Sequence, residues 1–346
     1  MKALVKTERG DGHIELRDVP APVAGPKQAV LRIAYAGICG TDVHILHDEH
    51  PYWPPVVLGH EFTGRVESVG EGVDPTMVGS RVVCEPHAGA CGECHLCRRG
   101  WVQLCSQKRA PGWGVDGGFA SLVAVPAYLL HRVPDVVGDR AAALCEPLAI
   151  SLSALQRTPV EPGDTVVVLG PGPVGILSAL ASRAVGAAAV LVVGRQSSAG
   201  RLDVASRFGF RTAASPENAV EQVHEMTSGR GAGLVIDTTG SEPLLALAVS
   251  LLRRRGRLLA IGVGGREMVP FPWDQAIFKA IDIAFSFSST YTAWDAALTL
   301  LASGAVPADA MVTEFPLEDW QSAFEAVQKR TALKAVLRPG LVTSQG

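Results

Sequence analysis

An apolar run, Thr165-Val166-Val167-Val168-Leu169, leads directly into Gly170-Pro171-Gly172-Pro173-Val174-Gly175, and a helical pattern follows from Pro173 to Ala184. Strand, G-x-G-x-x-G turn and helix, in that order, constrain the fold more than any other feature of the chain. The glycines let the backbone approach a pyrophosphate, and the helix N-terminus favours its negative charge. Without the flanking strand and helix the same residues would be an ordinary Gly/Pro turn. With them, they predict a dinucleotide-binding unit contacted by Gly170, Gly172, Pro173, Val174 and Gly175.

The surrounding pattern extends this unit. Ala189 to Val193 reads as a second buried strand and Gly200 to Phe208 as a helix. Gly233 to Asp237 and Arg257 to Ile261 read as further strands, with a Leu- and Ala-rich helix from Glu242 to Leu252 between them. Such alternation over residues 151–288 argues for a doubly wound parallel sheet. The second strand of such a sheet should end in Asp or Glu to hold the ribose 2′-hydroxyl of NAD. Here it ends in Val193-Gly194-Arg195-Gln196. Arg195 could hold the 2′-phosphate of NADP through charge-assisted hydrogen bonds, and it reads equally well as a solvated surface arginine. Arg201 is a second candidate, so Gly194 and Arg195 leave NAD and NADP both open.

Residues 1–150 have another rhythm. Short alternating runs (Lys2 to Val5, His13 to Leu16, Ala29 to Ala34, Phe62 to Val69, Phe119 to Val125) sit between Gly and Pro punctuation and predict a partly open β barrel. The tail carries helices around Trp294 to Ala302 and Leu317 to Lys329, then a strand at Lys334 to Leu337, and is expected to return to the first domain. A chain of 346 residues exceeds what one core usually holds.

Two polar clusters interrupt the first domain. Cys39-Gly40-Thr41-Asp42-Val43-His44 is placed at the exit of the strand ending near Tyr35, entering a short helix, where Thr41 and His44 share one side. Gly59-His60-Glu61 follows in apolar sequence. Thiolate, imidazole and carboxylate are the ligand types of zinc, and a catalytic zinc takes three protein ligands with one open position. Singly, Cys39 reads as a small buried hydrophobe and His60 as a structural residue. Glu146, in Leu144-Cys145-Glu146-Pro147-Leu148, is a candidate third ligand. It also suits a plain helix start ahead of Pro147, and Cys145 competes with it by chemistry.

The pattern Cys91-x-x-Cys94-x-x-Cys97-x7-Cys105 can wrap one tetrahedral zinc with no open position, which makes that role structural. A nucleic-acid-binding zinc ribbon is the rival. Few basic residues accompany the lobe (Arg98, Arg99, Lys108, Arg109), and the net charge of −3 gives no bulk attraction for nucleic acid or acidic membrane. Seven cysteines, four of them crowded together, follow metal spacing and suit a reducing, cytoplasmic compartment. The start of the chain has no long apolar run, and no stretch of about 18 apolar residues occurs, so neither signal peptide nor membrane span is expected.

Together these residues resemble the zinc-dependent medium-chain alcohol dehydrogenase superfamily, and within it the sorbitol (polyol) and threonine dehydrogenase group. The resemblance covers nearly the whole chain. It implies an α/β architecture with a GroES-like β-rich catalytic domain over 1–150, completed by 289–346, and a Rossmann domain over 151–288. It implies two zinc ions per chain. Cys39, His60 and Glu146 match the catalytic ligands, with Glu61 a carboxylate that ligates or swings away. Cys91, Cys94, Cys97 and Cys105 match the structural ligands, and Thr41 and His44 a proton relay. The implied reaction moves a hydride between a polyol or other secondary alcohol and NAD(P), giving a ketone or aldehyde. The implied partners are a small alcohol and further copies of the chain, in a tetramer.

Three departures bear on the substrate. Gly194 stands where the cofactor-discriminating Asp is usual, and the loop after it is longer. Ser289-Thr290 replaces the Arg-Tyr pair of polyol dehydrogenases, which counts against sorbitol itself. Glu146-Pro147 stands where threonine dehydrogenases carry Asp-Pro, which favours a polyol over threonine. Tyr52, Trp53, Trp113, Phe287 and Tyr291 are candidate pocket walls. The alternatives are an L-threonine 3-dehydrogenase-like oxidation, a zinc-free quinone or enone reductase of the same fold, and a dinucleotide-binding redox sensor.

Overall fold

The computed structural model describes residues 1–340 and separates into two units, Met1–Glu146 joined by the chain from Thr290 onward, and Pro147–Ser289. Residues 341–346, which the sequence assigns to the first domain, lie outside the described residues.

Eight short strands open the chain: β1 (Lys2–Lys6), β2 (Ile14–Asp18), β3 (Gln28–Gly37), β4 (Val56–Val57), β5 (Glu61–Val69), β6 (Arg81–Cys84), β7 (Leu122–Pro126) and β8 (Leu130–Arg132). Helix α1 (Gly40–Leu46) follows β3, and α2 (Asp139–Ala142) and α3 (Cys145–Arg157) follow β8. The second unit then alternates β9 (Thr165–Leu169), α4 (Pro173–Ala184), β10 (Ala189–Val193), α5 (Ala199–Arg207), β11 (Arg211–Ala213), α6 (Pro216–Thr227), β12 (Ala232–Asp237), α7 (Glu242–Leu251), β13 (Leu252–Ala260), α8 (Trp273–Lys279) and β14 (Asp282–Phe285). The tail adds α9 (Tyr291–Ala302), β15 (Val312–Pro316), α10 (Trp320–Gln328) and β16 (Lys334–Arg338).

In the first unit β3 is the hub. It pairs antiparallel with β5, β7 and β16, within a sheet ordered β15-β16-β3-β5-β6-β8, while β2-β1-β4 form a smaller sheet. Its buried residues Ala29, Leu31, Ile33 and Ala36 join Phe62, Val66, Val123, Phe119 and the tail residues Phe324 and Leu337 in one core. At the end of β3, Gly37 pairs with Glu61 on one side and Val336 on the other. A Cβ there would lie 2.9 Å from Lys334 Cε and closer still to Glu61, so glycine lets those two side chains meet. Helix α1 starts at once, because the Asp42 carboxylate reaches back to accept the Cys39 backbone N–H at 2.8 Å.

The second unit is one parallel sheet ordered β11-β10-β9-β12-β13-β14. β9 lies between β10 and β12 and is buried along its whole length, which is why it reads as an unbroken apolar run. β13 begins at Leu252, earlier than the sequence suggests. The sequence pattern starts this strand at Arg257, but Arg253 already pairs with Glu161 at 3.5 Å and Arg257 pairs with Asp164. The short strands β6 and β8 escape a pattern search because neither is long enough to show alternation. β7 starts at Leu122, and Phe119 ahead of it is a core residue outside the strand. Among the described residues no helix is long and apolar enough to cross a membrane.

Candidate metal and dinucleotide sites

Cys39 precedes α1, and His60 and Glu61 stand at the start of β5, so the antiparallel pairing of β3 with β5 brings them together. One ligand atom from each of Cys39, His60 and Glu61 lies within 4.8 Å of the others. His60 and Glu61 are buried and Cys39 is half-buried. Glu146, in the first turn of α3, is also buried but does not belong to that group of three. Its charge nevertheless acts on His60, and the charge of Glu61 acts on it. Burial and the Glu61 charge push Glu146 up to about 7, against the pull of His60, Lys334 and Lys108.

Two residues that the sequence did not single out complete this cluster. Asp42 is fully buried, and its Oδ1, which has no hydrogen-bond partner, lies 3.8 Å from the equally unpartnered Nδ1 of His60. Burial disfavours the His60 cation, yet Asp42, Cys39 and Glu146 carry it up to about 10. Burial likewise raises the Asp42 carboxyl. Lys334, on β16, forms a buried ion pair with Glu61 and donates to the Ile38 carbonyl at 3.0 Å. The Glu61 charge, followed by that of Cys39, holds the ammonium charged against its burial. Three carboxyl groups (Asp42, Glu61, Glu146) and the Cys39 thiol thus cluster around the His60 imidazole and the buried Lys334 ammonium. Thiol, imidazole and carboxylate gathered out of water form the donor set that a divalent zinc ion takes. The signal for Asp42 was its place in the first turn of a helix. Lys334 lies about 270 residues from Glu61 in the chain, and only the β3–β16 pairing reveals it.

Thr41 Oγ1 lies 3.7 Å from the Cys39 sulfur. His44 is more than half exposed, and its Nδ1 lies 2.8 Å from Glu49 Oε2. Of the candidate pocket walls, Trp53 and Trp113 lie together, with the Trp53 N–H donating to the Trp113 carbonyl at 2.8 Å. Tyr52 is instead a fully buried core residue whose hydroxyl donates to Asp48 at 2.6 Å, so it walls no pocket. Tyr291 packs on His131 at a ring separation of 4.8 Å.

Cys91, Cys94, Cys97 and Cys105 converge in the loop between β6 and β7, with all four sulfurs within 4.8 Å of one another. The Cys91–Cys97 and Cys91–Cys105 sulfur separations are 3.9 and 3.7 Å. Four thiolates at about 2.3 Å from a tetrahedral zinc would stand about 3.8 Å apart, so the cage has the right size. Backbone N–H groups of Cys91 and Gln107 hold the Cys105 thiol down at about 6. Among the described residues all seven cysteines are free thiols.

In the second unit, Gly170 takes φ +104° at the end of β9, and Gly172 caps α4, with Pro173 in its first turn. A Cβ on Gly175 would lie within van der Waals overlap of the Gly170 carbonyl, and one on Gly170 would lie 2.6 Å from Thr239. Positions 170 and 175 therefore admit only glycine, and the turn leaves open backbone at a helix N-terminus, which suits a pyrophosphate. Gly194, after β10, packs so closely that a Cβ would lie 2.9 Å from Pro171 and 3.1 Å from Leu202. Arg195 beside it is exposed.

Comparison with known proteins agrees with this geometry. Residues 25–135 match the alcohol dehydrogenase GroES-like domain and residues 173–303 the zinc-binding dehydrogenase domain. The chain is 36% identical to a sorbitol dehydrogenase of Halalkalibacterium halodurans over 98% of its own length and 99% of that protein. It is 32% identical to a D-arabitol-phosphate dehydrogenase of Enterococcus avium, over 97% of each. The solved structure of an alcohol dehydrogenase from Thermus sp. ATN1 superposes with a TM-score of 0.89 at 32% identity, covering 98% of this chain and all of that one. The chain belongs to the zinc-dependent medium-chain alcohol dehydrogenase family, in its polyol and threonine dehydrogenase group, and is an NAD(P)-linked oxidoreductase.

Proposed function

We propose that this protein oxidises a polyol or a related secondary alcohol to the ketone, with Cys39, His60, Glu61 and Glu146 holding the catalytic zinc and the four-cysteine lobe holding a structural one. The single observation that carries this assignment is the convergence of a thiol, an imidazole and a carboxylate within 4.8 Å in a largely buried site. A zinc held there would supply Lewis acidity toward the alcohol oxygen, and a bound nicotinamide cofactor would supply the hydride acceptor.

The protein's own part is orientation and proton handling. Asp42 faces the ring nitrogen of His60 and fixes its orientation and basicity. Lys334 restrains Glu61 through their ion pair, which makes Glu61 the carboxylate able to exchange between lysine and metal. Loss of a hydride from carbon leaves one proton on the alcohol oxygen. Thr41 Oγ1, beside the Cys39 sulfur, accepts it, and His44, on the same side of α1 and open to solvent, carries it out with Glu49 behind it.

We further infer a preference for NADP. The packing of Gly194 against Pro171 and Leu202 leaves no room for a ribose-binding carboxylate, and the exposed Arg195 is free of an acidic neighbour at ion-pair distance among the described residues. A cytoplasmic homotetramer belongs to the same proposal. Its support is the reduced cysteine set and the open edge of the parallel sheet at β14, where Phe285 is 74% exposed.

The test is metal content per chain together with turnover on a polyol panel with NAD and NADP. Two zinc ions, alcohol-dependent cofactor reduction and tighter NADP binding are expected. One zinc and no alcohol turnover would end the catalytic assignment. Equal affinity of wild type and Arg195→Ala for NADP, measured by titration, would end the role of Arg195.

A further inference from the structure

Beside the metal cluster, two loops of the first unit bring basic and aromatic side chains together. His50 stacks edge-on against Trp113 at a ring separation of 4.3 Å. Lys108 Nζ lies 6.0 Å from the centre of the same indole. Arg109 lays its guanidinium over Trp53 at 4.2 Å, and Trp53 is bonded through its backbone to Trp113. Two indoles and three basic side chains therefore gather on these two loops, Arg109 on Trp53 and Lys108 and His50 on Trp113, with the two tryptophans joined through their backbones.

The patch adjoins the proposed zinc site. Glu146 acts on Lys108, and His60, His44 and Lys108 act on His50. Burial depresses Lys108 to about 8, with the Glu146 charge opposing it, and burial also lowers His50.

Arg109 is the telling residue. Its N–H donates to the Ala88 carbonyl at 2.6 Å, and its Nη1 donates to the Lys108 carbonyl at 2.9 Å. Its stem is pinned by two glycines, since a Cβ on Gly114 would lie 2.7 Å from Arg109 Cβ and one on Gly89 would lie 3.1 Å from it. Yet among the described residues no carboxylate stands within ion-pair distance of the guanidinium. A half-buried arginine with a fixed stem, an aromatic rest and no acidic partner is pre-organised for an anion that arrives from outside.

We propose that Arg109 and Lys108, walled by Trp53, Trp113 and His50, form an anion subsite beside the zinc cluster, and that the substrate alcohol carries a phosphate monoester. A dianion matches two adjacent cations better than a carboxylate does, and a planar guanidinium binds phosphate oxygens in pairs. This assignment rests on the alcohol dehydrogenase reading of the same site. It goes beyond that reading by naming which end of the substrate is recognised and by which residues.

The experiment uses the zinc-loaded enzyme with matched probes: sorbitol and sorbitol 6-phosphate, xylitol and xylitol 5-phosphate, and gluconate as a carboxylate. In wild type, kcat/KM for the phosphorylated alcohols should exceed that for the neutral ones by at least about tenfold. Inorganic phosphate should compete with the alcohol. Arg109→Met should shrink the phosphate-to-neutral ratio about tenfold or more through KM, and Arg109→Lys should recover part of it. Lys108→Met should shrink it less. Zinc content and circular dichroism keep misfolding apart from loss of the subsite.

Equal kcat/KM for phosphorylated and neutral alcohols, or a preference for gluconate, would overturn the phosphate assignment. A variant that slows both classes equally would make Arg109 merely structural. If no alcohol is turned over at all, the dehydrogenase assignment fails by itself. Calorimetric titration of inorganic phosphate then decides the subsite: binding lost in Arg109→Met upholds it, and no binding to wild type overturns it.

Discussion

The first unit contains two candidate metal clusters that are built in opposite ways. The four-cysteine lobe is local: its ligands fall between Cys91 and Cys105, in one loop, and all four donors are alike. The Cys39–His60–Glu61 cluster is assembled by sheet pairing from a helix start, a strand start and, through Lys334, the tail of the chain. A local cage of like donors closes on its ion and leaves no room for substrate. A mixed cluster drawn from several strands has to be held in register by other groups, and here Asp42 and Lys334 do that. On the proposed assignment the lobe serves stability and the mixed cluster carries chemistry.

Substitutions can break this contrast, starting with the largest effect. His60→Ala should empty the catalytic site and lower kcat by about a thousandfold or more, equivalent to ~4 kcal/mol, while one zinc per chain remains in the lobe. Metal analysis together with turnover checks it, and loss of both ions would show that the two clusters are not independent. Cys97→Ser should do the converse. It should release the lobe zinc and destabilise the unit by about 3 kcal/mol or more, read as a drop in the denaturant midpoint, with the catalytic ion retained.

Lys334→Met leaves Glu61 buried without its cation and should cost about 3–5 kcal/mol in the metal-free protein. With zinc bound the loss should be smaller, because the ion takes over part of the lysine's role. Equal losses with and without zinc would count against an exchange of Glu61 between lysine and metal. Asp42→Asn should weaken zinc binding by about 10- to 100-fold without emptying the lobe, which competition with a graded chelator measures.

The smallest effect concerns a cluster around the buried His131 of the same unit that is not proposed to hold metal. His131 bonds Glu85 at 2.9 Å and Asp295 at 3.0 Å and stacks on Trp294. Burial disfavours its charged form, but Glu85 and then Asp295 outweigh that and raise it above its ordinary value of 6.5. A histidine raised in the folded state contributes stability that is complete below the unfolded value and fades as pH rises through the folded one. Stability should therefore decline from about pH 6.5 upward, until the higher folded-state value is passed, and His131→Asn should flatten that slope. An unchanged slope would remove His131 as its source.

The contrast between the clusters also explains what was legible in the chain. The four-cysteine cage could be read whole, because its geometry follows from spacing within one loop. The dinucleotide turn was readable for the same reason, with β9, the glycines and α4 contiguous. Cys39, His60 and Glu61 could be named as ligand types, but their meeting depends on the register Gly37↔Glu61 between strands far apart in sequence. Tyr52 shows the limit: an aromatic next to polar loops looked like a pocket wall, yet it packs under Lys6 and Arg9 with its hydroxyl on Asp48.

The sequence by itself determined the two-unit plan, the parallel sheet with its glycine turn, and the candidate donors for metal, because apolar period, Gly/Pro punctuation and cysteine spacing act over short distances. The tertiary structure alone decided that Lys334 neutralises Glu61, that Asp42 faces His60, that Gly194 has no room for a carboxylate, and that Arg109 is held over Trp53 without an acid. Each of those depends on side chains brought together by strand pairing or loop packing, and the free energy of a buried charge is set by the neighbours it meets there rather than by those beside it in the chain.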